Sequence, residues 1–166
     1  MSEIATFAMG CFWQPDEFFR TVPGVLATEV GYTGGRRPKP TYEQVCTGTT
    51  GHAEAVKVTF DPAKTSYAQL LDLFWNNHNP TTLNRQGPDI GTQYRSGIYA
   101  NSPEQLKEAL ATRDQVAKDG LWGSHPITTE IVAAQEWWPA EGYHQKYLFQ
   151  RGITQCHLPE APFKKK

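Results

Sequence analysis

The sequence predicts an α+β protein: a two-layer α/β sandwich on a split βαβ core, with long irregular loops and an irregular C-terminal tail. Three observations lead there. Strand-like and helix-like segments are interleaved along the 166 residues, yet two strand candidates also follow one another without a helix between them. The stretch Ala53–Phe60 has the period-two pattern of a strand, with Glu54, Val56, Val58 and Phe60 on one face and Ala53, Ala55, Lys57 and Thr59 on the other. Two later segments open with serine and glutamine at capping-box spacing, as helices do. A doubly wound parallel fold is the alternative arrangement.

Residues 4–9 are apolar enough for a buried strand and run directly into Gly10-Cys11. Pro15 with Asp16 and Glu17 marks a helix start, since proline suits the first turn and acids suit the positive end of the dipole. Phe18, Phe19 and Val22 supply its buried side, and Pro23-Gly24 ends it. Residues 25–31 form a second strand, followed by a loop over 33–41 rich in Gly, Pro and Arg. After Ala53–Phe60, closed by Asp61-Pro62, Ser66 and Gln69 cap a helix whose Tyr67, Leu70, Leu71 and Phe74 share one stripe. Ser102-Pro103-Glu104-Gln105 opens another, running through Leu106, Ala109, Leu110 and Ala117 to a stop at Gly120. A polar stretch, 78–95, lies between these helices and leads to a short strand at 97–100. A strand over 127–132 and a short helix over 141–149 precede the tail. This order suits a ferredoxin-like core in a single domain spanning 1–166, with 150–166 as the tail.

Composition excludes several classes of protein. Hydrophobic residues make up 39% and charged residues 20%, ordinary for a soluble globular chain. A formal net charge of -1, with no basic stripe before Lys164-Lys165-Lys166, leaves no footprint for nucleic acid. No apolar run approaches the roughly 20 residues of a membrane helix, and Met1-Ser2-Glu3-Ile4 does not open like a signal peptide. The cytoplasm is therefore the expected location and a monomer the expected state. Cys11, Cys46 and Cys156 are expected to be buried or redox-active there rather than structural bridges. They form no Cys-x-x-Cys unit, and the five histidines show no paired ligand spacing, so neither metal nor organic cofactor is expected.

Cys11 falls between a buried strand and a helix start, where unpaired backbone N–H groups favour negative charge and a thiol pKa can drop. Asp16 and Glu17 push the other way, and the residues alone leave open whether Cys11 is a nucleophile or packs under the strand end. Phe12 and Trp13 read either as core or as an aromatic pocket suited to a small apolar group such as a thioether methyl. Glu54 takes an inward-facing place in an otherwise apolar stripe. Lost solvation there favours a neutral acid able to donate a proton, unless the strand end is wet and a cation pairs with it. His52 beside it argues nothing alone. The 78–95 stretch is too long and polar for a simple connection and suggests an ordered polar site. Tyr42 and Tyr94 can each offer a phenolic hydrogen bond or merely pack. Cys156, in an irregular tail, is placed to attack an oxidised Cys11 if the tail folds back; otherwise it is incidental. Cys46 reads as a small buried hydrophobe.

Gly10-Cys11-Phe12-Trp13, Gly31-Tyr32-Thr33-Gly34-Gly35, Gly51-His52-Ala53-Glu54-Ala55-Val56 and Asp89-Ile90-Gly91-Thr92-Gln93-Tyr94-Arg95-Ser96 together resemble peptide methionine sulfoxide reductases of the A type. The resemblance runs from about residue 4 to about 149, and four motifs in the family's order make it specific. It implies that Cys11 is the nucleophile, that Phe12 and Trp13 wall the methyl pocket, and that Glu54 protonates the sulfoxide oxygen. Tyr42 and Tyr94 then bind that oxygen, and Asp89 contacts substrate through water. The family acts on the S epimer and is restored by thioredoxin. Its C-terminal resolving cysteines vary, and only Cys156 is available here, which suggests a single resolver.

A sulfoxide sulfur is a poor electrophile until its oxygen is protonated, so a neutral Glu54 and two hydroxyls suit thiolate attack by Cys11. Oxygen would remain on Cys11 as a sulfenic acid, which Cys156 would convert to a disulfide for an external dithiol to reduce. Two rival readings use the same residues: a peroxide-reducing or general disulfide-exchanging enzyme, and a module that binds oxidised methionine without turnover.

Overall fold

A computed structural model describes residues 2–150. The elements, in chain order, are β1 (Glu3–Met9), α1 (Trp13–Arg20), β2 (Val25–Thr33), α2 (Tyr42–Cys46), β3 (Ala53–Phe60), α3 (Tyr67–Asn76), β4 (Arg85–Gln86), β5 (Asp89–Ile90), β6 (Ser96–Ala100), α4 (Pro103–Asp119), β7 (Glu130–Ala133), β8 (Trp138–Pro139) and α5 (Tyr147–Gln150). Six strands form one sheet in the order β7-β6-β1-β3-β2-β8. The pairings of β1 with β3 and β6, and of β2 with β3 and β8, are antiparallel; only β6 and β7 run parallel. This mixed α/β fold with a mostly antiparallel sheet overturns the doubly wound parallel alternative. Among the described residues no helix is long and apolar enough to cross a membrane.

The alternation along β3 explains its central place. Val56, Val58 and Phe60 join Phe7, Phe19, Leu70, Leu71 and Phe74 in the main core, whereas Ala53 and Ala55 pack with Ala8 and Tyr99 on the opposite face. Phe7 lies opposite Val56, so extending that antiparallel register by two residues sets Met9 beside Glu54. Tyr32 flanks Glu54 from β2. The C-terminal end of β1 and the N-terminal end of β3 therefore meet at one edge of the core.

Both serine caps form. Ser66 and Gln69 make the reciprocal box of α3. At α4, Ser102 accepts from the Gln105 N–H, but the Gln105 side chain instead joins the Asn101 N–H to the Ile4 carbonyl, tying the helix to β1. Gly120 stops α4 in the left-handed conformation (φ 65°). The buried face of α4 is Gln105, Ala109 and Val116, and Ala117 faces solvent.

Four elements differ from expectation. Helix α1 begins at Trp13, two residues before Pro15. The strand expected over 127–132 covers only Glu130–Ala133, because the Pro80 carbonyl takes both the N–H and the hydroxyl of Thr128. The helix expected over 141–149 is a short 3₁₀ turn, Gly142–His144, and then α5. Lys146 breaks it: its φ is 51°, and its N–H goes to Asp16 rather than to a helical carbonyl. Gln145 meanwhile pairs its side-chain amide with both backbone groups of Val30, acting as an extra rung on β2. Finally, the polar stretch 78–95 contains the β4–β5 hairpin and a 3₁₀ turn, Thr92–Tyr94.

Candidate active site

The β1 chain leaves the sheet at Gly10, whose φ of 91° and close approach to Gln86 both exclude a side chain; a Cβ there would meet the Gln86 Cβ at 2.7 Å. Gln86 is itself fixed by a reciprocal pair of hydrogen bonds with the Asn79 backbone, at 2.7 and 2.8 Å. Cys11 follows, half-buried, immediately before Phe12, the N-terminal cap of α1. The Phe12 N–H donates to Glu54 Oε1 at 3.2 Å, so the acid is tied to the peptide next to the thiol. Asp16 and Glu17, which could have opposed charge at Cys11, are engaged elsewhere. Asp16 accepts from Thr28 and the Lys146 N–H, and Glu17 pairs with Arg20 at 2.7 Å.

Glu54 is 1% exposed, and its Oε2 has no hydrogen-bond partner among the described residues. The wet-end, cation-paired reading of this acid is therefore not what the structure contains. Burial pushes its pKa up to about 8; the Phe12 N–H pulls it down, and nearby Asp89 raises it further. At neutral pH the group is a carboxylic acid carrying a transferable proton.

Two tyrosines converge on it. Tyr42 opens α2, where Thr41 and Gln44 form a capping box. Tyr94 lies in the 3₁₀ turn after β5. Both are half-buried, and burial raises both phenol pKa values, so each hydroxyl keeps its proton. Glu54 lies near enough to both that ionising it would raise their pKa values further, and Tyr94 is also near Cys11, Cys46 and Asp89. Asp89, half-buried on β5 opposite Gln86, completes the group. Cys46 corrects an expectation. It is exposed rather than buried, because it occupies the solvent-facing end of the short α2, and the Tyr42 hydroxyl hydrogen-bonds its thiol. Cys156 lies outside the described residues.

The aromatic wall comes from α1 and from a segment that sequence reading missed. Phe12 is fully buried, and Trp13 is half-buried. Trp13 donates its indole N–H to His144 Nδ1 at 3.0 Å and stacks on Tyr147, with centroids 3.7 Å apart and planes 5° from parallel. His144, 1% exposed, also packs against Phe12 and Tyr42. Its Nδ1 accepts from Trp13, which assigns the remaining proton to Nε2, and burial holds the ring below its ordinary pKa, hence neutral. Glu141 accepts from both the Tyr32 hydroxyl (2.8 Å) and the Tyr42 N–H (2.9 Å), which anchors the start of α2. The clustering of Glu141, Tyr143, His144 and Tyr147 within seven residues was the available signal, and a helical reading of 141–149 hid it.

A thiol, a neutral acid and two protonated hydroxyls are thus brought together beside an aromatic wall. Such a set can protonate and bind an oxygen while the thiol attacks the atom that carries it, with an apolar substituent against the rings. Comparison with known proteins points the same way. The family model described as peptide methionine sulfoxide reductase matches residues 3–166. A curated relative, peptide methionine sulfoxide reductase MsrA of Methanosarcina acetivorans, is 57% identical over 153 residues, covering 92% of this chain and 81% of its own. The crystal structure of Mxr1 from Saccharomyces cerevisiae in reduced form superposes with a TM-score of 0.87 at 34% identity, covering 96% of this chain and 93% of that one. Mxr1 in complex with Trx2 superposes with a TM-score of 0.64 at 23% identity, over 96% and 89% of the two chains. By sequence and by fold, the chain belongs to the peptide methionine sulfoxide reductase family.

Proposed function

We propose that this protein reduces the S epimer of methionine sulfoxide to methionine, with Cys11 as nucleophile and Glu54 as general acid. The observation that carries the reading is the buried Glu54 carboxyl, held protonated by desolvation and tied through the Phe12 N–H to the turn that bears Cys11. The sulfoxide methyl lies against Phe12 and Trp13. The oxygen accepts hydrogen bonds from Tyr42 and Tyr94, and Asp89 orders water beside it. As the Cys11 thiolate attacks sulfur, Glu54 delivers its proton to oxygen. The new bond between Cys11 and the substrate sulfur then breaks as the protonated oxygen passes from that sulfur to Cys11: the substrate gains two electrons and leaves as the thioether, and Cys11, oxidised by two electrons, carries the oxygen as a sulfenic acid. Cys156 attacks the Cys11 sulfur, expelling water and forming a Cys11–Cys156 disulfide, and thioredoxin reduces that bond by dithiol exchange. The yeast relative solved in complex with Trx2 is in keeping with that reductant. The catalytic cycle suits the cytoplasm, where thiols stay reduced.

The same reading takes the fold as a two-layer sandwich on a ferredoxin-like core. The order β6-β1-β3-β2, antiparallel throughout, with β3 between β1 and β2, supports it. The chemical test is a single-turnover reaction of the reduced protein with each epimer, without external reductant. One equivalent of methionine from the S epimer, none from the R epimer, and a mapped Cys11–Cys156 bond are expected. Equal reduction of hydrogen peroxide with no sulfoxide turnover would replace this reading with a peroxidase, and turnover surviving Cys11→Ser would remove the nucleophile.

A further inference from the structure

Between β2 and α2 the chain carries Arg36, Arg37 and Lys39, all exposed and none in an ion pair among the described residues. Overall composition does not account for this density of positive charge, since the chain has a formal net charge of -1. The loop is also held in place from beneath. His52, 2% exposed, accepts the Gly35 N–H on Nδ1 at 3.1 Å, and its Nε2 lies 2.7 Å from the Arg37 carbonyl oxygen, to which it donates. The Arg36 N–H bonds the Thr50 carbonyl at 3.1 Å. Gly35 packs so closely on the Gly51 and His52 backbone that no Cβ would fit. His52 lies two residues before Glu54, and the loop ends at the Thr41 cap that presents Tyr42. The loop that carries the three cations is therefore tied by its backbone between β2, which bears Tyr32, and α2, which bears Tyr42, and makes a basic rim beside the site. The acids on the adjoining elements are Glu43, exposed on α2, Glu141, which accepts from the Tyr32 hydroxyl and the Tyr42 N–H, Glu130, paired with the Arg95 that also donates to the Gly34 carbonyl, and Asp89 on β5.

We propose that this rim selects polypeptide substrates in which acidic residues flank the methionine sulfoxide. The proposal rests on the reductase reading of the cleft and names its substrate class. A sulfoxide side chain seated on Phe12 and Trp13 leaves the neighbouring residues of a peptide running over the rim. Charges there lie within the Debye length of about 8 Å at physiological salt, and salt screens them because the rim is exposed. Each flanking carboxylate gains roughly two- to fivefold in kcat/KM, through KM rather than kcat.

The experiment measures kcat/KM on capped pentapeptides with a central methionine sulfoxide flanked by Glu, Ser or Lys, with the neutral N-acetyl methionine sulfoxide methylamide as baseline. Wild type should rank Glu above Ser above Lys. The ranking should collapse in the Arg36→Ser, Arg37→Ser, Lys39→Ser variant and at high salt, while the rate on the neutral amide stays unchanged. Reversal of the ranking in Arg36→Glu, Arg37→Glu would support the rim independently. A flat wild-type ranking, or one that survives the triple substitution, overturns the proposal. It is overturned equally if the triple variant changes only the KM for thioredoxin, which would make the rim a reductant-docking surface. Loss of all wild-type turnover on the neutral amide would instead strike at the reductase reading beneath it.

Discussion

Glu54→Gln separates the proton-donor role proposed for the acid from its effect on stability, and the raised pKa sets the size of the second. The folded protein holds Glu54 protonated up to about pH 8, whereas the unfolded chain releases that proton above its ordinary value of 4.5. A raised carboxyl pKa makes the unfolded state the better acid, so stability falls as pH rises between those values, by about 1.4 kcal/mol per pH unit. At pH 7 the penalty is about 3 kcal/mol, and it levels off near 5 kcal/mol above pH 8. Glutamine keeps an oxygen for the Phe12 N–H but cannot ionise. Urea unfolding followed from pH 4 to pH 9 should show the variant equal to wild type near pH 4 and progressively more stable above it. Its turnover of methionine sulfoxide should drop by about a hundredfold or more, the usual share of a positioned proton donor. Wild-type turnover should in turn fall as pH rises through about 8. A stability difference that does not change with pH would refute the buried, protonated acid. Near-wild-type turnover in the variant would refute its use as a proton donor.

Two further outcomes test the surrounding shell. His78, fully buried between the Phe74 carbonyl and the Ser96 hydroxyl, has its pKa lowered by burial to about 4 from 6.5. Its neutral form stabilises the fold above pH 6.5, and about 3 kcal/mol of that is lost as pH falls to about 4. Between pH 4.5 and 6.5 this slope opposes that of Glu54, so wild-type stability should be nearly level there, while Glu54→Gln should weaken on acidification; a level Glu54→Gln profile would remove His78 from the account. His144→Leu deletes the acceptor for the Trp13 indole N–H, and leaving that donor unpaired costs about 1 kcal/mol. Steady-state kinetics should show KM raised roughly fivefold with kcat retained, and His144→Gln, which can still accept that bond, should recover most of the loss. An unchanged KM in the leucine variant would show that Trp13 needs no such support.

Much of the fold was legible because its signals are local. The period-two pattern of β3, the Ser66 and Ser102 caps and the Gly120 stop each depend on a few neighbouring residues, and the backbone obeys them. Elements set by distant partners were not legible. Gln145 completes an edge of β2 more than a hundred residues away, and Asp16 interrupts the helix expected over 141–149 by taking the Lys146 N–H. The two-residue strands β4, β5 and β8 are too short to carry a periodic pattern. Cys46 was misjudged because a five-residue helix leaves its last side chain in solvent.

Sequence alone determined the chemical cast: a cysteine at a strand–helix junction, an acid in an apolar stripe, two tyrosines and the aromatic pair, in a motif order specific to one family. Only the tertiary structure decided their state. Glu54 is held protonated because three strands and the Phe12 N–H enclose it with no cation beside it among the described residues, and desolvation depends on everything packed around a group rather than on its neighbours in the chain. His144, Tyr147 and Glu141 enter the site for the same reason: contacts between residues 99 to 134 positions apart carry no local signature, and only folding brings them to Trp13, Tyr32 and Tyr42.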